Sequence, residues 1–384
     1  MKTVVLIVLM ISLTSIVSAK VYRPDDHTQV LIEIEHSVRL QELKVLRQQL
    51  KQQANNQALL SNIIAQYIKL GREHADERYF SYAESLLKPY LQQAHLAASI
   101  KVQWADILQR QHQFTEAMVI LNQVLQSEPS QTQARLMRSV IYQIKGEYKL
   151  AMADCKALLG RVDLLLSTTC IAQIDGLQGN LERSIPLLQQ TIERYTNNDS
   201  ETLQWSRTVL AEMFLRAGKI SQASDQLDEV LTHANDYYAL ALKADILLQQ
   251  ARYDEVMALL HHHRKVSKLL LRYVIASNRS GKNQSIDSDT LSAVIERARL
   301  FSTGAHKRLL ARYDLDVKNN PQLAIITARD NWQRQREPED ALLLVRCLTA
   351  ANDRTGLQSF RKTFQQQGLR DKRIEAIMAG PGDE

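Results

Sequence analysis

Tyr67-Ile68-Lys69-Leu70-Gly71, followed by Phe80-x-x-Ala83, opens a pattern that returns at Phe114-x-x-Ala117 and again at Tyr148-x-x-Ala151. The step is 34 residues both times. Each occurrence places an aromatic three residues before a small side chain, within sequence of helical periodicity. A fixed period of this length in helical sequence signals stacked helix–turn–helix units. The fold class expected is therefore all-α, an α-solenoid of antiparallel helix pairs.

The residue types have a steric reason. Gly71 is expected to face Ala83, Ala105 to face Ala117, and Ser139 to face Ala151. Small side chains at these points let two helix backbones approach closely, while Leu87, Leu108, Leu121 and Tyr142 fill the spaces around them. Pro129 ends one unit and opens the next.

This arrangement resembles the tetratricopeptide repeat. Tyr67 stands where that family usually has Trp, and His74 falls where an aromatic is usual. The later units keep Ala172, Gly179, Ser184 and Leu188, then Ala211, Phe214, Gly218 and Ala223, then Ala244, Leu247, Tyr253 and Val256. The resemblance covers residues 64–263, about six units forming a right-handed superhelix. Residues 264–379 look like degenerate units of the same kind without the aromatics. Ser277–Asp289 reads as a polar loop or a break between two stretches of array. Residues 20–63 read as a lead-in and a capping helix with Thr28 as N-cap. Its stripe is Leu31, Ile34, Val38, Val45, Leu46 and Leu50. Residues 380–384 read as a disordered tail.

Met1-Lys2 supplies a positive charge, Thr3–Val17 is apolar, and Val17-Ser18-Ala19 ends in small residues. That is the layout of a cleavable signal peptide, residues 1–19, with cleavage after Ala19. The location expected is periplasmic or secreted, with no membrane span after cleavage. No later stretch approaches 18 consecutive apolar residues. Of the three cysteines, Cys155 falls on a second helix and Cys170 on the next first helix, so a bridge is open to them. Buried free thiols are the reading favoured by ordinary cysteine packing.

Chemistry is poorly represented. There is no Gly-x-Ser-x-Gly, no phosphate-cradling glycine loop and no Cys placed beside a recurrent His, so the chain reads as a non-enzyme without cofactors. The 48 basic and 42 acidic residues leave a formal charge of +6, without any basic run that points to nucleic acid. His261-His262-His263 offers no i, i+4 pair for a metal, and Arg264 and Lys265 adjoin it. A metal-handling accessory protein using those histidines is the alternative reading.

What remains is the inner face. In tetratricopeptide arrays the first helix of each unit lines a concave groove that receives a protein partner, an extended peptide or a helix. Transferred unit by unit, the resemblance implies groove positions at Arg72, Asp76, Asp106, Arg110, Gln143, Trp205, Glu212, Arg216, Tyr238 and Asp245. Ile68, Val102, Thr169, Gln173, Thr208 and Leu242 lie at neighbouring positions of the same helices. The function expected is a periplasmic scaffold in an envelope assembly or transport system.

Overall fold

The computed structural model describes residues 38–379 apart from Ala94 and residues 196–199, 283–284 and 301–305. The signal segment, the lead-in with its Thr28 cap and the tail 380–384 lie outside the described residues. Twenty α-helices follow one another as antiparallel pairs, and no strand occurs among the described residues. None of these helices is long and apolar enough to cross a membrane.

Polar caps set the helix starts. Asn56, Asp163, Ser200, Asp236, Asn320 and Asp353 each accept a hydrogen bond from a backbone N–H in the first turn of the helix that follows. The turn inside each pair has a repeated form. A backbone N–H reaches back five residues to a carbonyl at Gln113→Leu108, Glu147→Tyr142, Asn180→Asp175, Lys219→Phe214, Arg252→Leu247, Lys282→Ser277 and Asp353→Leu348. The residue before each of these donors adopts positive φ, from His112 to Asn352. The same turn therefore closes pairs in the C-terminal third, where the aromatics of the repeat are missing.

The six small residues are all buried, as close helix approach requires. Ala83, Ala105, Ala117 and Ala151 are wholly buried, as are Gly71 and Ser139. A Cβ on Gly71 would come within 2.6 Å of the Phe80 ring, so only glycine fits there.

Three expectations are corrected. The segment 277–289 is no break, because the helices Ser267–Arg279 and Ser285–Leu300 cover most of it. Ser277 Oγ donates to the Lys282 carbonyl, and the half-exposed Arg264 guanidinium reaches the buried Asp287. Cys155 and Cys170 form a disulfide, with Cα atoms 5.5 Å apart. Their helices, Tyr148–Lys156 and Leu164–Leu177, turn these two positions toward one buried cluster. Cys347 stays a buried thiol in the same cluster, pushed up to about 12 by burial. In the first helix, Val38–Gln52, Leu43 and Leu50 are the buried residues while Val45 is exposed. The face that packs on the array follows the seven-residue step from Leu43, not the step through Val45.

The largest departure from an open solenoid is at the C-terminal end. Arg336 donates its backbone N–H to the Ile144 carbonyl at 2.6 Å, and Arg370 donates to the Leu177 carbonyl at 3.3 Å. Gln367 Nε2 donates to the Tyr148 hydroxyl at 2.8 Å, and Gln335 meets His112 Nδ1 at 2.6 Å. Gly146, at φ +75°, has Gln367 so close that a Cβ would lie 2.8 Å from its amide nitrogen. Residues 335–370 thus return across the turns of the second, third and fourth helix pairs. Trp332, Phe360, Phe364 and Ile374 share one apolar cluster with Tyr148, Ile174 and Leu177. This return faces the first helices across the concave side.

Candidate functional site

The space between the return and the first helices consists of two adjoining cavities of about 820 and 700 Å³, both open to solvent on one side. They meet at Arg110, Val140, Tyr238, Arg308, Glu337 and Glu339. One wall is built by the first helices of successive units. The opposite wall comes from Lys307–Asp316, Pro338–Ala350 and the start of Lys372–Ala379.

Nine of the ten positions read as groove residues line this space. Arg110, Gln143, Trp205, Glu212, Arg216 and Tyr238 line the larger cavity. Arg72, Asp106 and Asp245, with Arg110 and Tyr238 again, line the smaller. Asp76 does not line either; its carboxylate caps the helix Glu77–Leu87 and holds Arg78 at 2.6 Å. It stands just past the end of the first helix, where a capping role displaces a groove role. Ile68, Val102 and Thr169 are also away from the open space, buried between helices. Thr169 Oγ1 bonds the Leu165 carbonyl and Ser206 at 2.7 Å.

Charge pairing organises the lining. Asp245 accepts from Arg272 and Arg312, each at 2.5 Å. Burial opposes the Asp245 charge, but the two guanidinium groups hold its pKa well below the usual carboxylate range. Arg308 is bonded to Asp340 at 2.6 Å and also to Glu337. Burial works against its charge, yet these carboxylates keep the Arg308 pKa above the ordinary value. Arg373 is held by Glu339 at 2.9 Å and Asp371 at 2.6 Å. Arg72 pairs with Asp106 at 2.6 Å.

Glu212 differs from these acids. Burial pushes its carboxyl up to about 7, and it accepts a hydrogen bond from the Tyr238 hydroxyl, whose own pKa is raised well above 10 by burial and by Glu212. Water reaches the Tyr238 ring, which is exposed, although protein surrounds it on the concave side.

The sequence pattern did not single out Arg272, Arg308, Arg312, Arg373, Glu337 or Glu339. The signals present were Arg308 and Arg312 one turn apart and the acidic first turn after Pro338. The three histidines form a single 3-10 turn, His261–His263, outside both cavities, with the first two rings 4.8 Å apart. Among the described residues no group of three or more His, Cys, Asp or Glu side chains is placed to hold a metal.

Helix pairs stacked through small residues, with one recurrent turn and a lined inner face, define a tetratricopeptide-like helical-repeat protein, here with its C-terminal end returned across the concave side. No protein-family model and no curated protein sequence matches the chain. Among solved structures it is similar to a chain of the APC/C hetero-tetramer Cut9-Hcn1, at 14% identity and TM-score 0.38 over 81% of this chain and 52% of that one. It is similar also to Rap protein complexed with competence and sporulation factor, at 12% identity and TM-score 0.47 over 84% and 99%. A third is human IFIT1 with PPP-AAAA, at 11% identity and TM-score 0.46 over 85% and 86%. At these levels the likeness extends to helical-repeat architecture alone.

Proposed function

We propose that this chain is an exported, non-catalytic scaffold that receives a segment of a protein partner in its central cavity, within an envelope assembly or transport system. The observation that carries this reading is the cavity itself. Its wall combines apolar surface (Val140, Leu177, Val209), aromatic rings (Trp205, Tyr238) and side-chain amides (Gln143, Gln173, Gln204). Such a mixture suits a peptide, which presents apolar side chains and backbone polar groups together. Nucleic acid suits it less, because Asp106, Asp245, Glu212, Glu337 and Glu339 would all face a phosphate backbone. Export is supported by the signal-like Met1–Ala19 and by the Cys155–Cys170 disulfide, a bond that persists in oxidising compartments. The periplasm and the residue roles in binding are part of this proposal.

The test is a pull-down from envelope extract with the purified chain beginning at Lys20, alongside its Trp205→Ala variant. The expected outcome is a partner recovered by the wild type and reduced at least about tenfold with the variant, the loss of one buried aromatic anchor. Equal recovery by both, at background level, would count against the proposal.

A further inference from the structure

Five buried side-chain polar atoms among the described residues lack a hydrogen-bond partner, and three of them, Arg216 Nη1, Gln204 Oε1 and Arg110 Nε, belong to residues that line the larger cavity. Native folds leave few such atoms, and each asks for a missing partner. Arg216 is the most exacting. Its residue is 3% exposed, and its one hydrogen bond among the described residues runs from Nε to the Glu212 carbonyl at 3.4 Å. Among the described residues no carboxylate lies within ion-pair distance of it. The nearby acids are engaged elsewhere, Glu212 by the Tyr238 hydroxyl and Asp371 by Arg373. By contrast, Arg272, Arg308, Arg312 and Arg373 around the same space each hold a carboxylate.

Resting on the scaffold reading above, we infer that the cavity at Arg216 is a receptor for a carboxylate side chain carried on an extended, otherwise uncharged segment of the partner. A buried guanidinium without a counter-ion is unfavourable in the empty protein and becomes favourable once an anion enters with fork geometry. The anion is a carboxylate and not a phosphate, because the same cavity is lined by Glu201, Glu212, Asp236, Glu337 and Glu339, which repel a doubly charged group more strongly. The carrier is an extended peptide because Gln143, Gln173 and Gln204 stand on three successive first helices along one wall. An amide donates and accepts at once, matching the alternating N–H and C=O of an extended backbone. Trp205, Val140 and Val209 give apolar bedding to flanking side chains.

The experiment compares two capped hexapeptide libraries, one with Glu fixed at the third position and one with Gln there, against the wild type and Arg216→Met by calorimetry and thermal melting. Inorganic phosphate alone is the third ligand. The expected result is at least about tenfold preference for the Glu library in the wild type, the size of one charge-assisted hydrogen bond, falling to within about twofold in Arg216→Met. Arg216→Met should melt no lower than the wild type, since it removes a cation that lacks a counter-ion. Equal affinity for the two libraries in the wild type overturns the inference without reference to any variant. So does a Glu preference that survives Arg216→Met, a markedly lower melting temperature of that variant, or phosphate stabilising the chain more than the Glu library. A partner recovered from extract with no Glu preference overturns this inference and leaves the scaffold reading intact. A Glu preference without a recovered partner does the reverse.

Discussion

The first three helix pairs and the five helices from Lys307 to Ala379 both pack through apolar side chains but differ in how many ion pairs they bury. Between Gln57 and Lys156 the pairs close on small side chains, Ala83, Ala105, Ala117 and Ala151, with Phe80, Leu87 and Leu121 buried around them. Between Lys307 and Ala379 apolar packing around Ala328, Trp332, Leu344 and Phe360 is joined by several ion pairs with a buried carboxylate. Arg308 spans to Asp340 and Glu337, Arg346 to Asp316, and Arg373 to Glu339 and Asp371. Apolar complementarity depends on neighbours and can repeat along a chain. A buried ion pair depends on one exact partner. These pairs fix the C-terminal helices to one another, while the contacts back to the earlier pairs run through backbone hydrogen bonds, Gln335, Gln367 and an apolar cluster.

Breaking the ionic side should cost most. Arg308→Met leaves Asp340, which is 2% exposed, without its counter-ion, and should lower unfolding free energy in urea by about 3–5 kcal/mol. The double variant Arg308→Met, Asp340→Leu should recover most of that loss. If the single variant is as stable as the wild type, these ion pairs do not hold the C-terminal helices together. On the apolar side, Ala117→Leu inserts a large side chain where the backbones approach and should cost about 1–3 kcal/mol. A neutral result would place the close approach elsewhere.

A smaller effect sits where the two regions touch. Burial pushes His112 down to about 4, with Glu337 opposing and Arg308 and His306 adding to the depression, and its Nδ1 meets Gln335. The folded chain therefore keeps this ring neutral while the unfolded chain protonates it near 6.5. Stability from this group is complete above about pH 6.5 and is lost as pH falls toward 4. Glu212 works in the opposite sense: its folded pKa of about 7 favours the folded state at low pH, and this is lost as pH rises from about 4.5 to 7. His112→Gln should reduce the acid loss between pH 6.5 and 5 by roughly 1 kcal/mol, read as a flatter melting temperature against pH. An unchanged slope would mean that other groups govern it. Least of all, Arg72→Ala removes a half-exposed pair with Asp106 and should cost under about 1 kcal/mol in thermal melts.

The repeat was legible because its signal is local. Phe80 and Ala83 belong to one helix, and the 34-residue step brings the next copy into register without knowledge of anything distant. The tetratricopeptide resemblance, transferred unit by unit, implied the ten groove positions from Arg72 to Asp245, and nine of them line the cavity. That transfer misled at Asp76, which is the N-cap of the helix that follows, and at Thr169, which turns between helices to Ser206. The far wall was not legible. Arg308 and Glu337 reach the cavity only because residue 336 lies against residue 144, a contact that no periodicity encodes. The disulfide was left open for a related reason: spacing allowed Cys155 and Cys170 to meet but did not require it.

Solenoids of stacked helix pairs behave as springs, whose pitch yields to fit whatever they grip. Here the hydrogen bond from Arg336 to Ile144 ties one coil to another, and Arg370 to Leu177 ties a second. A spring with its coils tied has a bore of set width. Release of either tie would free the coils on its two sides to move apart.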